Sequence, residues 1–311
     1  MKRVLVIHYS QTGQLSSVAR SIAAPLESNA NIEVVYEELR PVHAYPFPWP
    51  FVRFINTFPE AAHQVGCELE PLSTHCDLDF DLVILAYQVW FLAPSIPVEA
   101  FLQSGAARQL LENKPLVTVI ACRNMWLMAQ EKVKAHLERI GANHIGNIAL
   151  CDAAGTAASF LSTPLWVLSG NKGPFPLGIP AAGVALEEIE RASRFGDALR
   201  VRLTSEQALD SGVLQGLGAV RINEGLIASE IIATRSFYIW GKLFRAIGGP
   251  DALLRKPLTW VYAVFLLMMI LTVVPISAMV KKLFAPLMRK RIARQKQYYA
   301  QPSGEGREHI E

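Results

Sequence analysis

The sequence is short of charge. Only 18% of its 311 residues are Asp, Glu, Lys or Arg, against about 25% in ordinary soluble domains. Hydrophobic residues make up 51% and mean hydropathy is +0.24, which excludes a disordered or low-complexity chain. An excess of one sign is missing as well. The 30 Lys+Arg against 27 Asp+Glu leave +3, too balanced for a nucleic-acid binder that depends on many phosphate contacts. Cysteine is sparse: Cys67, Cys76, Cys122 and Cys151 contain no CxxC pair. That argues against a disulfide framework and for reduced thiols in a cytoplasmic compartment. His63, Cys67, His75 and Cys76 lie close in sequence but fit no usual zinc spacing, so no metal is expected. The N-terminus lacks a signal peptide, because Lys2-Arg3 precedes only four apolar residues, short of the roughly 7–15 required.

Short β-branched runs alternate with helical patterns up to about Leu203. Strands are expected at residues 4–7, 32–36, 82–86, 116–121 and 145–150, several of them apolar at consecutive positions, as strands covered on both faces are. Leu15, Val18, Ala19, Ile22 and Leu26 recur at helical spacing, as do Val133, Leu137 and Ile140, and later Leu186, Ile189, Ala192 and Leu199. Five strands interleaved with helices predict an α/β, doubly wound parallel sheet. Two stretches interrupt it. Residues 41–59 hold five prolines with Phe47, Trp49, Phe51, Phe54 and Phe58, and read as a lid over an apolar ligand, a membrane-facing surface, or an insert packed on the domain. Residues 151–180, small-residue-rich and then Pro/Gly-rich, read as a long connection of the kind that often carries function.

Beyond Leu203 the pattern changes. Residues 258–280 run without a formal charge, Pro275 being the one strong breaker, and about 20 apolar residues span a bilayer core. A buried soluble helix is the alternative, weakened because residues 265–271 are apolar on every side. Lys281, Lys282, Arg289, Lys290, Arg291, Arg294 and Lys296 follow, with no acidic residue until Glu305. The positive-inside rule puts this end in the cytoplasm, yet Arg235, Lys242, Arg245, Arg255 and Lys256 make the other flank basic too. A helix bent back at Pro275, a helix lying in the interface, or a second insertion reconciles the two. In-plane or re-entrant attachment on the cytoplasmic side of the inner (cell) membrane is preferred, since both flanks then meet anionic headgroups at about 1 kcal/mol per charge. The expected organisation is a domain over residues 1–203, a helical linker over 204–257, a hydrophobic helix with its basic flank over 258–296, and a polar tail over 297–311.

Ser10-Gln11-Thr12-Gly13-Gln14-Leu15 leaves the first strand and opens the first helix. Backbone N–H groups at a helix start point outward and favour an anion. Gly13 allows close approach, and Ser10 and Thr12 add hydroxyls, the parts needed to hold one terminal phosphate. A Walker lysine is missing, which disfavours a metal-bound triphosphate. The plainer alternative is an N-cap by Ser10 or Thr12.

A strand followed by Ser-x-Thr-Gly resembles the FMN phosphate loop of the flavodoxin-like superfamily, over residues 1 to about 203. The helix ending Ala192-Ser193-Arg194-Phe195-Gly196-Asp197-Ala198-Leu199 resembles the last helix of that fold. Leu15 departs from the pattern, many members having a second Thr there, and leaves Ser16 as a substitute hydroxyl. The resemblance implies strand order 2-1-3-4-5, with the ligand at the switch point between strands one and three. Tyr87-Gln88-Val89-Trp90-Phe91-Leu92-Ala93-Pro94 is similar to the loop bordering the isoalloxazine in flavodoxin-like quinone reductases. Trp90 or Phe91 would stack on the ring, and backbone groups of Gln88, Val89, Trp90 and Phe91 would bond its edge; core packing is the alternative. Cys122-Arg123-Asn124-Met125-Trp126 corresponds to the other ring loop, without its frequent glycine. Arg123 would stabilise a reduced flavin or anchor a carboxylate, or is a surface arginine.

The opening His8-Tyr9-Ser10-Gln11-Thr12-Gly13-Gln14-Leu15, with a basic apolar C-terminal extension, looks like flavodoxin-like dialkylresorcinol condensing enzymes. That resemblance implies FMN-dependent aromatisation of a cyclohexanedione lipid intermediate, in the company of acyl-chain biosynthesis enzymes. The expected partners are an apolar or lipid substrate, the membrane, those enzymes and a second copy of the chain. No proton acceptor is identified; Tyr87, His43 and Arg123 are candidates. The rival readings are a membrane-tethered flavodoxin-type electron carrier and a non-catalytic scaffold that kept the fold and lost FMN.

Overall fold

Runs of consecutive apolar residues make strands covered on both faces. In the computed structural model, which describes residues 1–73, 79–205, 207–273 and 288–310, five such strands lie side by side. The strands are β1 (Lys2–His8), β2 (Ile32–Glu38), β3 (Leu82–Trp90), the two-residue β4 (Ala93–Pro94), β5 (Pro115–Cys122) and β6 (Asn143–Cys151). They run parallel in the order β2-β1-β3-β5-β6, with β4 hooked antiparallel onto β3. With the hook set aside, this is the flavodoxin-like order 2-1-3-4-5.

Alternation along β1 sorts its side chains into two cores. Val4 and Val6 join a cluster with α1 (Gln14–Glu27), α7 (Leu186–Arg191) and α8 (Ser193–Thr204). Leu5 and Ile7 join the opposite cluster with α3 (Ile96–Leu102), α4 (Gly105–Leu111) and α5 (Leu127–Ile140). α8 lies so close to α1 that a Cβ on Gly196 would run into the Ile22 carbonyl oxygen.

Both stretches expected as loops contain helices. Within residues 41–59 begins α2 (Phe51–Ala62), and within 151–180 lies α6 (Gly155–Ser169). The sequence concealed them behind proline, but Pro59 and Pro164 sit inside these helices, at the local cost of one backbone hydrogen bond each. The linker expected over 204–257 holds α9 (Glu224–Ile247), a 24-residue helix capped by Asn223, whose Oδ1 accepts the Gly225 N–H at 3.1 Å. Next come α10 (Arg255–Met268), a π-helical turn (Met269–Val273) and a last helix over residues 288–300. Pro275, Lys281, Lys282, His75 and Cys76 lie outside the described residues. The tail expected from residue 297 is docked through residue 310. The Asn147 N–H donates to Ser303 Oγ at 2.7 Å, the Ile222 N–H donates to Glu305 Oε1 at 2.8 Å, and the Ala149 N–H donates to the Ala219 carbonyl at 2.8 Å. These contacts cover the β6 edge, which would otherwise present free backbone groups.

The aromatic insert packs on the protein. Ile55 and Phe58 of α2 meet Phe244 of α9 and Tyr262 of α10 in a third apolar cluster, where Phe58 stacks on Tyr262 at 4.3 Å. Arg255, expected on a basic flank, is buried at the centre of this layer. Its Nη2 and Nη1 donate to the Glu60 carboxylate at 2.9 and 3.2 Å, and its Nε donates to the Phe244 carbonyl at 3.2 Å. A guanidinium out of reach of water has to be matched in this way. Arg255→Met leaves the Glu60 carboxylate unpaired and should cost about 3 kcal/mol or more in urea unfolding of the detergent-solubilised protein. Adding Glu60→Leu should restore most of that loss; no recovery would show that the pair is not the connection between α2 and α10.

Candidate functional site

β1 ends at His8 and α1 begins at Gln14, so five residues turn the chain at the switch point between β1 and β3. The turn is made by Gly13, left-handed at φ 78°, and nothing lies within 4 Å of where its Cβ would stand. No side chain caps α1, so the N–H groups of its first turn have no intrahelical partner. Ser10 Oγ and Thr12 Oγ1 are both buried without a hydrogen-bond partner. The N-cap alternative is thereby set aside, since neither hydroxyl reaches the helix. Two unpaired buried hydroxyls beside an open helix start cost stability unless a ligand takes them. Each hydroxyl lacks an acceptor, which an anion's oxygens would supply.

The other loop residues have structural partners. Leu15 is fully buried in the α1 core, and Gln14 bonds Val184 twice, accepting its N–H at 3.1 Å and donating to its carbonyl at 3.2 Å. Both can therefore offer an anion only backbone N–H groups. Gln11 is a strut: its Nε2 donates to the Pro46 carbonyl at 2.8 Å, and its Oε1 accepts Trp49 Nε1–H at 2.9 Å. This bond draws the aromatic segment 45–50 across the loop. Ser16 faces away, into a polar cavity of about 820 Å³ that it shares with His8, Arg20, Tyr36, Glu38 and Arg40.

The stretch after β3 is a hairpin of two residues rather than an open loop. Phe91 and Leu92 take positive φ, 50° and 62°, between the paired Trp90 and Ala93, a turn normally made by Asn-Gly. The strain of roughly 1–2 kcal/mol per residue is offset by packing, since the Phe91 ring lies 5.1 Å from Phe54 and 5.8 Å from Phe237. Part of the backbone expected at a ring edge is spent within the hairpin, the Gln88 carbonyl accepting the Ser95 N–H at 2.8 Å and Val89 pairing with Pro94. The Gln88 side chain does reach the phosphate-loop candidate, with Oε1 3.4 Å from the Gln11 nitrogen. Trp90 belongs to an edge-to-face group with Tyr9, Tyr45 and Trp49, at centroid distances of 5.8, 4.9 and 5.6 Å.

At the end of β5, the Arg123 guanidinium lies 4.1 Å over the Phe160 ring of α6, and burial lowers its pKa. It is a half-buried cation on the carboxyl edge of the sheet, not a free surface arginine. Asn124 Nδ2 is buried without a partner on the same edge. Tyr87 is in the core, its hydroxyl donating to Gln130 Oε1 at 2.5 Å, and burial raises its pKa further from reach. His43 is exposed. Neither is a proton acceptor for this edge. Among the described residues no group of three metal-ligating side chains gathers, and His63 Nε2 bonds the Tyr238 carbonyl at 2.9 Å.

Three further residues of the site were not singled out from the sequence. Tyr45 was hidden in the Pro-rich insert. The Asp152 carboxylate accepts the Ala154 and Gly183 N–H groups at 2.8 Å each and so orients the chain that holds Gln14. Glu230 of α9 is buried at the start of α5, accepting the Met128 N–H at 3.1 Å, with its other oxygen unpartnered. Burial, opposed by the N–H groups of residues 126–128 and by Arg123, pushes its pKa up to about 8.

No protein-family model matches the sequence, and no curated protein does. Solved structures similar to it include flavoproteins and a flavodoxin. A flavoprotein of Lactobacillus acidophilus, crystallised in complex with FMN, is 15% identical over 48% of this chain and 93% of its own, at a TM-score of 0.36. A flavodoxin from the domain Archaea is 11% identical over 66% of this chain and 100% of its own, at 0.35. The Trp repressor binding protein of Bacillus subtilis is 10% identical over 54% of this chain and 97% of its own, at 0.30. The fold assignment rests on the strand order and register of this chain.

Two outcomes follow from the geometry. Glu230 binds its proton more tightly folded than unfolded, so its contribution is full below about pH 4.5 and is lost as pH rises through about 8. Stability should therefore fall across that window, and Glu230→Gln should flatten the fall in thermal melts at stepped pH; an unchanged slope would remove Glu230 as its source. Ser10→Ala with Thr12→Val should leave the ligand-free protein as stable as before or more so, because each removes a buried unpaired hydroxyl worth about 1–3 kcal/mol. A marked loss of melting temperature would mean that the hydroxyls are bonded after all.

Proposed function

We propose that the chain is an FMN-binding flavoprotein that oxidises an apolar, ring-forming lipid intermediate at the cytoplasmic face of the cell membrane. The observation that carries this reading is the pair of buried, unpartnered hydroxyls, Ser10 and Thr12, at the uncapped start of α1. They fit the oxygens of a terminal phosphate, with Gly13 leaving room and the uncapped start of α1 offering backbone N–H donors. Flavin supplies hydride acceptance at its N5. The chain supplies the rest. Gln88 and Trp90 border the ring side of the loop, Arg123 offers a fixed positive charge for electron density arriving there, and Trp49, held by Gln11, excludes water.

The same roof speaks against an electron carrier. A carrier presents its flavin edge to a partner protein, whereas here residues 45–50 and the α2–α9–α10 layer lie over the carboxyl edge of the sheet. A scaffold that had lost the cofactor would have no reason to keep two unpaired hydroxyls. The resemblance to dialkylresorcinol condensing enzymes names the finer reaction. A cyclohexane-1,3-dione carrying two alkyl chains becomes a resorcinol by losing a hydride and a proton, two electrons in all, and a bound flavin would supply that two-electron oxidation. The aromatic rings packed beside the β3–β4 turn, Phe54 on Phe91 and Trp90 on Tyr45, make this edge apolar, which suits such a substrate. α10 and the π-helical turn after it make the one described helical stretch long and apolar enough to cross a membrane (Arg255–Thr272, mean hydropathy 1.3), and the exposed apolar face of α10 supports seating at the bilayer where the substrate resides.

The full chain purified in detergent should be yellow or become so on adding FMN, and Ser10→Ala with Thr12→Val should weaken FMN binding at least about tenfold, two charge-assisted hydrogen bonds being lost. A protein that stays colourless sinks the cofactor. Anaerobic addition of a 2,5-dialkylcyclohexane-1,3-dione should bleach the flavin and release the resorcinol; a stable yellow colour would leave a flavoprotein with a different substrate.

A further inference from the structure

The short apolar helix that follows β6 meets the site only through its inner face, where Phe160 lies under Arg123; its outer face has no part there. α6 carries no charged residue from Gly155 to Ser169, and Leu161, Leu165 and Leu168, one helical face, are exposed, Leu161 by 57%. Just beyond it Leu177 stands 99% exposed. Across the molecule α10 exposes Trp260, Val261, Val264, Leu267 and Met268 while its opposite face packs on α2 and α9. A soluble surface rarely leaves two such helices bare.

The two faces are joined. Phe51 lies 5.3 Å from Trp260, Phe47 lies 6.1 Å from Trp166 of α6, and the Trp49 N–H donates to the Val167 carbonyl at 2.9 Å. The strip from residue 47 to residue 51 is therefore a bridge between α6 and α10, and it is the same strip that Gln11 draws over the phosphate loop. Exposed Lys172 follows α6, exposed Lys256 opens α10, and exposed Lys242 and Arg245 lie on the neighbouring end of α9. Neither α6 nor α10 contains an acidic residue. An apolar surface with a basic rim is complementary to the anionic headgroups and acyl chains of a bilayer.

We propose that α6 is a second bilayer contact, so that the protein lies on an anionic membrane with α6 and α10 dipped on either side of the 47–51 bridge. This rests on the membrane seat proposed for α10 and adds a second point of insertion, which fixes the orientation of the molecule. The roof of the site then faces the acyl chains, and an alkyl-chain substrate reaches the site from the bilayer without crossing water.

The test uses the full chain, diluted from detergent onto vesicles of phosphatidylglycerol and phosphatidylcholine, or of phosphatidylcholine alone, and followed by flotation. The wild type should float with the anionic vesicles and more weakly with the neutral ones. Leu161→Glu with Leu165→Glu should lower partitioning about tenfold, Val264→Glu with Leu267→Glu should do the same, and Leu186→Glu, on exposed α7, should change nothing. An environment-sensitive label on Leu165→Cys should shift to the blue on vesicles, and one on Leu186→Cys should not; this readout does not require α6 to tolerate a charge. If the α6 pair floats as the wild type does while the α10 pair fails to, α6 is not a contact and the α10 seat stands. If both pairs float as the wild type does, or the wild type does not float, the seat itself is wrong and this inference goes with it. If the α6 pair keeps its vesicle binding but dissociates a dimer in detergent, the face belongs to a second copy of the chain, which also overturns the proposal.

Discussion

The guanidinium of Arg255 has no water to turn to, and the organisation of the carboxyl edge follows from how it is matched. Its partners are the Glu60 carboxylate on α2 and the Phe244 carbonyl on α9, while it belongs to α10. One side chain thus fixes three helices from distant parts of the sequence. Around it, Phe58, Phe244 and Tyr262 exclude water, which strengthens the pairing and makes an unpaired state costly. Phe91 reaches into the same cluster from the β3–β4 turn, and Phe54 contacts Trp49 at 5.8 Å. The helical layer, the strained hairpin and the roof over the phosphate loop therefore hold one another in place.

The β1–α1 turn leaves two buried hydroxyls of one short loop unmatched. Natural interiors pair almost all of their buried polar groups. Here Ser10, Thr12 and Asn124 are exceptions on one edge of the sheet, while the flanking Gln11 and Gln14 are fully engaged in positioning the chain around them. Rigid surroundings with open hydrogen-bonding groups are what preorganised binding requires.

Much of this was legible from residue patterns. The five parallel strands announced themselves through runs such as residues 4–7 and 82–86, because double burial leaves no polar alternation to confuse. Their order came from the resemblance carried by Ser10, Thr12 and Gly13. The helix on residues 14–27 was equally clear. The helices within residues 41–59 and 151–180, α2 and α6, were not. Pro59 and Pro164 advertise loops, and only tertiary packing overrides that local signal. Arg255 looks like one more basic residue before an apolar run, since its partner Glu60 is 195 positions away. Phe91 and Leu92 gave no hint of a two-residue turn, for neither favours positive φ. Glu230 lay in a stretch without motif, and its place at the start of α5 is a matter of long-range contact alone.

The residues that close the β6 edge come from both ends of the C-terminal extension: Ala219 and Ile222 before α9, and Ser303 and Glu305 after the last helix. The extension is thus an excursion that leaves the sheet and returns to it, stapled at departure and arrival. An excursion held at both ends cannot peel away like a tail, and a force on its middle is passed to the sheet itself. A C-terminal truncation that discards α10 also discards Ser303 and Glu305 and so uncovers part of the edge strand, whereas excision from within the excursion, with its two stapled ends rejoined, keeps both.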